Sequence, residues 1–378
     1  MTRARNSAGR WLASALGVVL VASGCAGGPE KPKPKPFAPL VPQNVAQPAW
    51  NQRIGEIKFP LAVAVAGGVY TAGASDGTVV AVEAETGQER WRTNVGAELS
   101  AGVGSDGRFA AVVTRTGDLV TLDAGRVAWR KPVGSRVVTA PLVAGERVFV
   151  LGVDRSVQAF DALDGRKLWA LQRPGDPLTL SQSGVLAAFH DTLVVGQGPR
   201  LAGLDPLSGN VRWEVPIGSP RGANEVERLA DLVGPAARLG NLLCARAFQA
   251  AVGCVDGERG TLAWTRNVGG NDGIAGDRDQ VYGADATDRM TAWRADSGNV
   301  AWTSDALLYR GLTAPAVQGD SVVYGDAEGL VHWLSRASGD AQLRLSTDGS
   351  AVAAPPAVDG RMLLVVTRAG GLHAFRAR

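Results

Sequence analysis

Short apolar runs broken by turn residues fill the chain from Trp50 to its end. One period shows the pattern: Gly145-Glu-Arg-Val-Phe-Val-Leu-Gly152, Arg155-Ser-Val-Gln-Ala-Phe-Asp161, Asp164-Gly165, then Arg166-Lys-Leu-Trp169. Runs of this length, alternating or briefly continuous, predict β-strands. Gly and Asp punctuate the turns, where a positive φ is needed. No long stretch carries the 3.6-residue period of an amphipathic helix, so the chain is predicted to be all-β.

The pattern repeats. Gly87 and Trp91 open a Gly-x-x-x-Trp series that returns at Gly125/Trp129, Gly165/Trp169, Gly209/Trp213, Gly260/Trp264 and Gly298/Trp302. A seventh copy, Gly339, has Leu343 where Trp is expected. The Trp residues are spaced by 38, 40, 44, 51 and 38 residues, and Leu343 follows 41 later. Four short strands in about 40 residues is the unit of a β-propeller blade. In each unit the Gly makes the turn before the last strand. The Trp on that strand covers the gap to a neighbouring sheet, where its indole N–H needs a partner.

Counting the blades requires both chain ends. A Gly follows five residues after Trp91, Trp129, Trp213 and Trp264, and Trp50/Gly55 has the same spacing with no blade before it. At the other end, Met362–Thr367 and Gly371–Phe375 read as strands that lack a terminal Trp strand. Trp50 is therefore expected to complete the last blade, so that an N-terminal strand joins C-terminal ones and closes the ring. Closure removes exposed sheet edges. The prediction is an eight-bladed β-propeller of four-stranded antiparallel blades over residues 49–378.

The first 24 residues differ from the rest. They carry Arg3, Arg5, Arg10 and no acid, then an apolar stretch from Trp11 to Ser23. This is the order of a secretory signal, with an apolar core too short to span a bilayer comfortably. Ala22-Ser23-Gly24-Cys25 resembles the lipobox of bacterial lipoproteins, with Ala where Leu is usual. The resemblance implies cleavage before Cys25, lipidation of Cys25 and, because Ala26 rather than Asp follows, the outer membrane. Residues 25–48 read as a lipidated Cys and a tether, since Pro32, Pro34 and Pro36 alternate with Lys and disallow helix or ladder. Without the three leader Arg, 36 basic side chains face 36 acidic ones. A nucleic-acid binder needs a cationic surplus, so that class is set aside.

The Gly-x-x-x-Trp repeat, with Asp161, Asp205 and Asp256 four residues before its Gly, resembles the tryptophan-docking motif of quinoprotein propellers. With the lipobox and the Pro-rich segment it resembles the BamB family of outer-membrane lipoproteins, over essentially the whole chain. The segments Leu307–Pro315 and Gly325–Trp333 match that family locally. The resemblance implies a non-enzymatic scaffold of the β-barrel assembly (BAM) complex on the periplasmic face of the outer membrane. It would bind the periplasmic domains of BamA and other components of the machinery, and unfolded β-barrel clients are further candidates. No cofactor or metal is implied. The alternative is a quinoprotein (PQQ) dehydrogenase or a degenerate relative. Those enzymes use calcium ligands and typically an adjacent Cys pair, whereas Cys25, Cys244 and Cys254 are nowhere adjacent, and His190, His332 and His373 stand far apart.

Two places in the repeat are overlong. Residues 173–181 lie in the 44-residue interval and residues 219–234 in the 51-residue interval, each after the last strand of successive blades. They should emerge side by side on one face, and loops on a rigid scaffold commonly carry binding. The family resemblance places partner contacts here, at Leu178, Leu180, Ser181, Arg228, Leu229 and Asp231. Ser181 stands where the family has Arg, and Val233 where it has Asp; Arg228 or Arg221 could compensate. Cys244 and Cys254 flank a hairpin near Gln249 and could face each other across two strands. An oxidising compartment allows a disulfide, while directly opposed Cys often have poor geometry for one, so bridge and buried thiols both stay open.

Overall fold

A computed structural model describes residues 32–173, 179–219 and 229–378. Cys25, Leu178 and Arg228 lie outside the described residues. The described chain forms eight sheets of four strands each. Blade 1 consists of Ala64–Ala66, Val69–Gly73, Thr78–Glu83 and Glu89–Asn94, and the next six blades repeat this antiparallel meander. Blade 8 takes Ala357–Asp359, Met362–Val366 and Gly371–Ala377 from the C-terminus and Ala46–Arg53 from the N-terminus as its outermost strand. The ring is thus closed as the sequence predicted.

Inner strands are buried on both faces, which is why they read as apolar runs rather than alternating ones. Val69–Gly73, Phe109–Val113 and Met362–Val366 are buried at every position. The outermost strands alternate: Glu89–Asn94 buries no residue fully, and Trp91, its one apolar residue, leans on the core.

One local device orients every motif Trp. The register slips by one residue just before it, as where Trp91 pairs with Ala81 but Glu89 pairs with Val82. The same bulge precedes Trp129, Trp169, Trp213, Trp264, Trp302 and Leu343. It also precedes Trp50, between Pro48 and Trp50, in the strand that comes from the other chain end. A bulge bends the strand and re-aims a side chain; here it turns the indole out of its own sheet toward the next blade. Pro48 is tolerated because this strand is outermost and its N–H side needs no partner.

Each indole then lies on the turn Gly of the following blade. A Cβ at Gly87 would sit 2.6 Å from the Trp50 ring, and one at Gly298 would sit 2.5 Å from Trp264. Both Gly have φ near +70°, at 74° and 69°, so conformation and space each exclude a side chain. Nε1 of Trp50, Trp129, Trp169, Trp264 and Trp302 donates to the carbonyls of Ala84, Ala162, Pro206, Ala295 and Arg336 at 2.7–3.0 Å. Leu343 is the exception for a topological reason. The last two strands of blade 8 come from opposite chain ends, so no hairpin turn joins them and no Gly awaits a Trp. Leu343 packs instead with Val352, Leu363 and Phe375.

Two further features bear on the sequence reading. Cys244 and Cys254 are direct partners on neighbouring strands of blade 5, both fully buried, and they are joined in a disulfide. The Pro-rich segment does not stay detached up to residue 48. Ala46 already pairs with Ala377, and the stretch before it lies against blade 7. Phe37 is the reason, because its ring sits between two Arg side chains, Arg310 and Arg344.

Candidate functional site

Loops that follow outermost strands emerge on the same face as the turns between second and third strands. In blade 3 that turn is Gly152–Ser156, closed by bonds from Gly152 N–H to Ser156 O (2.9 Å) and Arg155 N–H to Gly152 O (3.0 Å). The loop leaving blade 3 follows Leu171, and its Arg173 pairs with Glu214 of blade 4 at 2.9 Å. The loop leaving blade 4 returns to the described residues at Leu229 and enters blade 5 at Leu232.

Asp231 joins all three segments. Its Oδ1 pairs with Arg155 Nη2 at 3.1 Å, and its Oδ2 accepts the Leu180 N–H at 3.1 Å. Its own carbonyl accepts the Phe248 N–H of blade 5 at 3.0 Å. The Arg155 and Asp231 side chains are 18% and 17% exposed, so the pair is shielded enough to hold its geometry. A shallow cavity of about 50 Å³, lined in part by Leu151, Thr179, Leu180 and Val233, lies beside it. It abuts, through Val138, a groove of about 670 Å³ across blades 1 to 3 lined in part by Glu56, Lys58, Glu98, Arg115 and Arg136.

The structure brings Leu180 and Asp231 together, as the side-by-side loops required. Leu180 and Leu229 are half-buried, Ser181 is exposed, and Val233 is buried. Asp231 spends its carboxylate inside the chain, so its role in this geometry is to shape the loops. Arg155 was not singled out from the sequence, yet a signal was there. Its position in the turn is Gly77, Gly117, Gly329 and Gly370 in blades 1, 2, 7 and 8, all with φ between 76° and 92°. Arg155 holds the left-handed conformation at φ 63°. A bulky residue kept at such a position marks a site where its side chain is needed. Asp288 does the same in blade 6 at φ 65°, and its carboxylate accepts the Gly311 and Leu312 N–H groups at 2.7 and 3.1 Å.

No group of three His, Cys, Asp or Glu suited to a metal occurs among the described residues. His190 packs edge-on against Phe189, His332 bonds Asp326 at 2.9 Å, and His373 stands 3.7 Å from Asp348. Burial pushes His332 below its ordinary value, outweighing the Asp326 carboxylate that favours the cation, while Arg344 and Arg310 oppose it further. The sign follows. As pH falls through about 6.5 the unfolded chain takes up a proton that folded His332 still refuses, so stability is present above that pH and lost below it. His332→Gln keeps a donor for Asp326 but does not titrate. Its urea midpoint is expected to fall less than the parent's between pH 7 and pH 5, and equal slopes would refute the assignment.

A closed ring whose tryptophans rest on the glycines of the next blade, elaborated at two loops of one face, is a propeller of the quinoprotein type. The family described as outer membrane protein assembly factor BamB matches residues 75–304. The Burkholderia pseudomallei outer membrane protein assembly factor BamB is 35% identical over 95% of this chain and 96% of its own. That of Bordetella pertussis is 34% identical over 95% of each. The chain belongs to the BamB family of outer membrane protein assembly factors. Among solved structures, BamB from Moraxella catarrhalis superimposes with a TM-score of 0.80 at 23% identity, over 88% of this chain and all of that one. Quinohemoprotein alcohol dehydrogenase from Comamonas testosteroni shares the ring at a TM-score of 0.66 and 16% identity, over 88% and 76% of the two chains.

Proposed function

We propose that the chain is a non-enzymatic scaffold of the BAM complex, held by a lipid on Cys25 at the periplasmic face of the outer membrane. It docks the periplasmic domains of BamA through the loops leaving blades 3 and 4 and so assists insertion of β-barrel proteins. The observation that carries this reading is the Asp231 clasp. Neither loop is needed to build a blade, yet the two are stitched to each other and to blade 3 on one face. Held in place before binding, the described ends at Leu180 and Asp231 add less ordering cost on association. Leu180, Ser181 and Leu229 supply the apolar and polar surface there, with Leu178 and Arg228 beside them in sequence.

The quinoprotein alternative fits the donor set poorly. An adjacent Cys pair is absent, and Cys244 and Cys254 are consumed in a bridge between two core strands. Carboxylates at the repeat positions cap turns: Asp205 Oδ1 accepts the Leu207 and Ser208 N–H groups, and Asp256 Oδ1 those of Glu258 and Arg259.

The test is retention of the barrel protein on the tagged lipoprotein from detergent-solubilised envelopes. Leu180→Asp is expected to reduce retention by about tenfold or more, the effect of losing more than about 1.4 kcal/mol at an interface centre. Arg155→Gly gives blade 3 the turn residue of blades 1, 2, 7 and 8 while releasing Asp231. It should leave the melting temperature nearly unchanged and lower retention. Full retention by both variants would remove the site.

A further inference from the structure

The stretch before the first strand is a strap on the rim of blade 7. Lys35 N–H donates to Leu308 O at 3.0 Å, in the connection from blade 6 to blade 7, and Lys35 Nζ pairs with Asp305 at 2.9 Å. Gln43 N–H donates to Gln342 O at 2.7 Å, on the outermost strand of blade 7, Ala341–Ser346. Between these points Phe37 is gripped. The guanidinium carbons of Arg310 and Arg344 lie 3.4 and 3.2 Å from its ring centroid. Two groups that close must take opposite faces of the ring, since on one face they would collide.

The grip is itself built in. Arg310 has a side chain only 5% exposed; it donates to Lys35 O at 2.9 Å and to Glu328 at 3.1 Å. It therefore reads both the ring and the backbone of the strap. Pro36 and Pro39 flank Phe37, so the segment is extended before it docks and gives up less freedom on docking. The strap also covers part of the outer edge of the one blade whose motif Trp is missing.

We infer that this strap fixes where the chain leaves the propeller and thereby limits how far the propeller stands from the membrane. This rests on the reading that Cys25 carries the lipid. Cys25 and Lys35 are ten Cα–Cα steps apart, a leash of at most about 35 Å. Undocked, the chain from Cys25 to Ala46 would reach about twice as far. Blade 7 lies opposite blade 3 in a ring of eight, and Leu308, which holds Lys35, follows an outermost strand, so the leash leaves near blade 7 on the same face as the loop that carries Leu180. The strap keeps the point where the leash leaves the propeller within about 35 Å of the bilayer.

Two measurements on the intact lipidated chain test this. In hydrogen exchange in detergent, the Lys35 and Gln43 amides are expected to exchange at least about tenfold slower than an unstructured peptide. Phe37→Ser should abolish that protection while the blade strands stay protected, and Arg344→Ser should weaken it. Unprotected Lys35 and Gln43 amides in the parent would overturn the docking. In neutron reflectometry on a supported bilayer, the parent's propeller should stand no more than about 35 Å from the headgroups, and Phe37→Ser should widen that gap. Unchanged height in the variant, with protection lost, would overturn the height-limiting role. A mature chain without acyl groups, seen by mass spectrometry, would overturn the anchoring reading and the height claim with it. The exchange result stands apart from that outcome, because it does not depend on the lipid.

Discussion

Trp264→Ala is expected to lower the stability of the propeller by about 3–5 kcal/mol, the range for emptying a buried large aromatic site. Trp264 is 6% exposed, and its Nε1 donates to Ala295 O at 2.7 Å. Truncation leaves a cavity between blades 5 and 6 and a carbonyl without its donor, two separate losses. The surroundings cannot collapse to fill the space, because both sheets are held by their neighbours in the ring. The complementary change, Gly298→Ala, forces a methyl to 2.5 Å from the same ring at a φ of 69°, and a comparable loss is expected from the other side of the seam. Trp50→Ala should cost less, because Trp50 is only half-buried. Urea unfolding read by far-UV dichroism measures all three. Equal midpoints for Trp264→Ala and the parent would show that the seams do not hold the ring.

The ring itself was legible because a propeller writes its period into the chain. A Gly that must be a Gly and a Trp that must be a Trp recur at blade spacing, and the blade number followed from placing Trp50 in the last sheet. Contacts between residues distant in sequence were not legible. Nothing about Arg310 announces that it will meet Lys35 and Phe37, some 275 residues upstream. Arg246 looks like an ordinary strand cation. It is fully buried, donates to Gly269 O at 3.1 Å, and occupies space that a Cβ at Gly270 or Gly283 would fill. Burial pushes it down to about 10, so it remains charged at neutral pH. At the candidate site, loop lengths identified the face, while the internal use of Asp231 needed Arg155, 76 residues away. Composition cannot tell a carboxylate held for a partner from one spent on holding a loop.

Closure gives the second large expected effect. A chain beginning at Ile54 lacks the strand Ala46–Arg53, which pairs along the whole of Gly371–Ala377. It leaves blade 8 with three strands, an open edge and the Gly87 shelf uncovered, and it is expected to be recovered as aggregate. The same strand moved to the other end should rescue it. Ala377 lies opposite Ala46, and Arg376 opposite Gln47. Joining Ala377 through one added Gly to Gln47 makes a two-residue turn and writes Gly-x-x-x-Trp ahead of Trp50. Blade 2 shows that such a turn works: Asp123 pairs with Arg126 across Ala124-Gly125, and Gly125 carries Trp91. The permuted chain is expected to be soluble and within about 2 kcal/mol of the parent, since the strand pairing is kept and a two-residue turn replaces the junction of the two chain ends. It also makes the reason for Leu343 testable. In the parent, Leu343→Trp puts an indole where no Gly shelf exists and should cost about 1–3 kcal/mol by overpacking. In the permuted chain the new Gly offers that shelf, so the same change should cost less or stabilise. The difference, read as a double-mutant coupling in urea unfolding, should be on the order of 1 kcal/mol or more. A coupling near zero would mean that Leu343 stands there for some cause other than the missing turn.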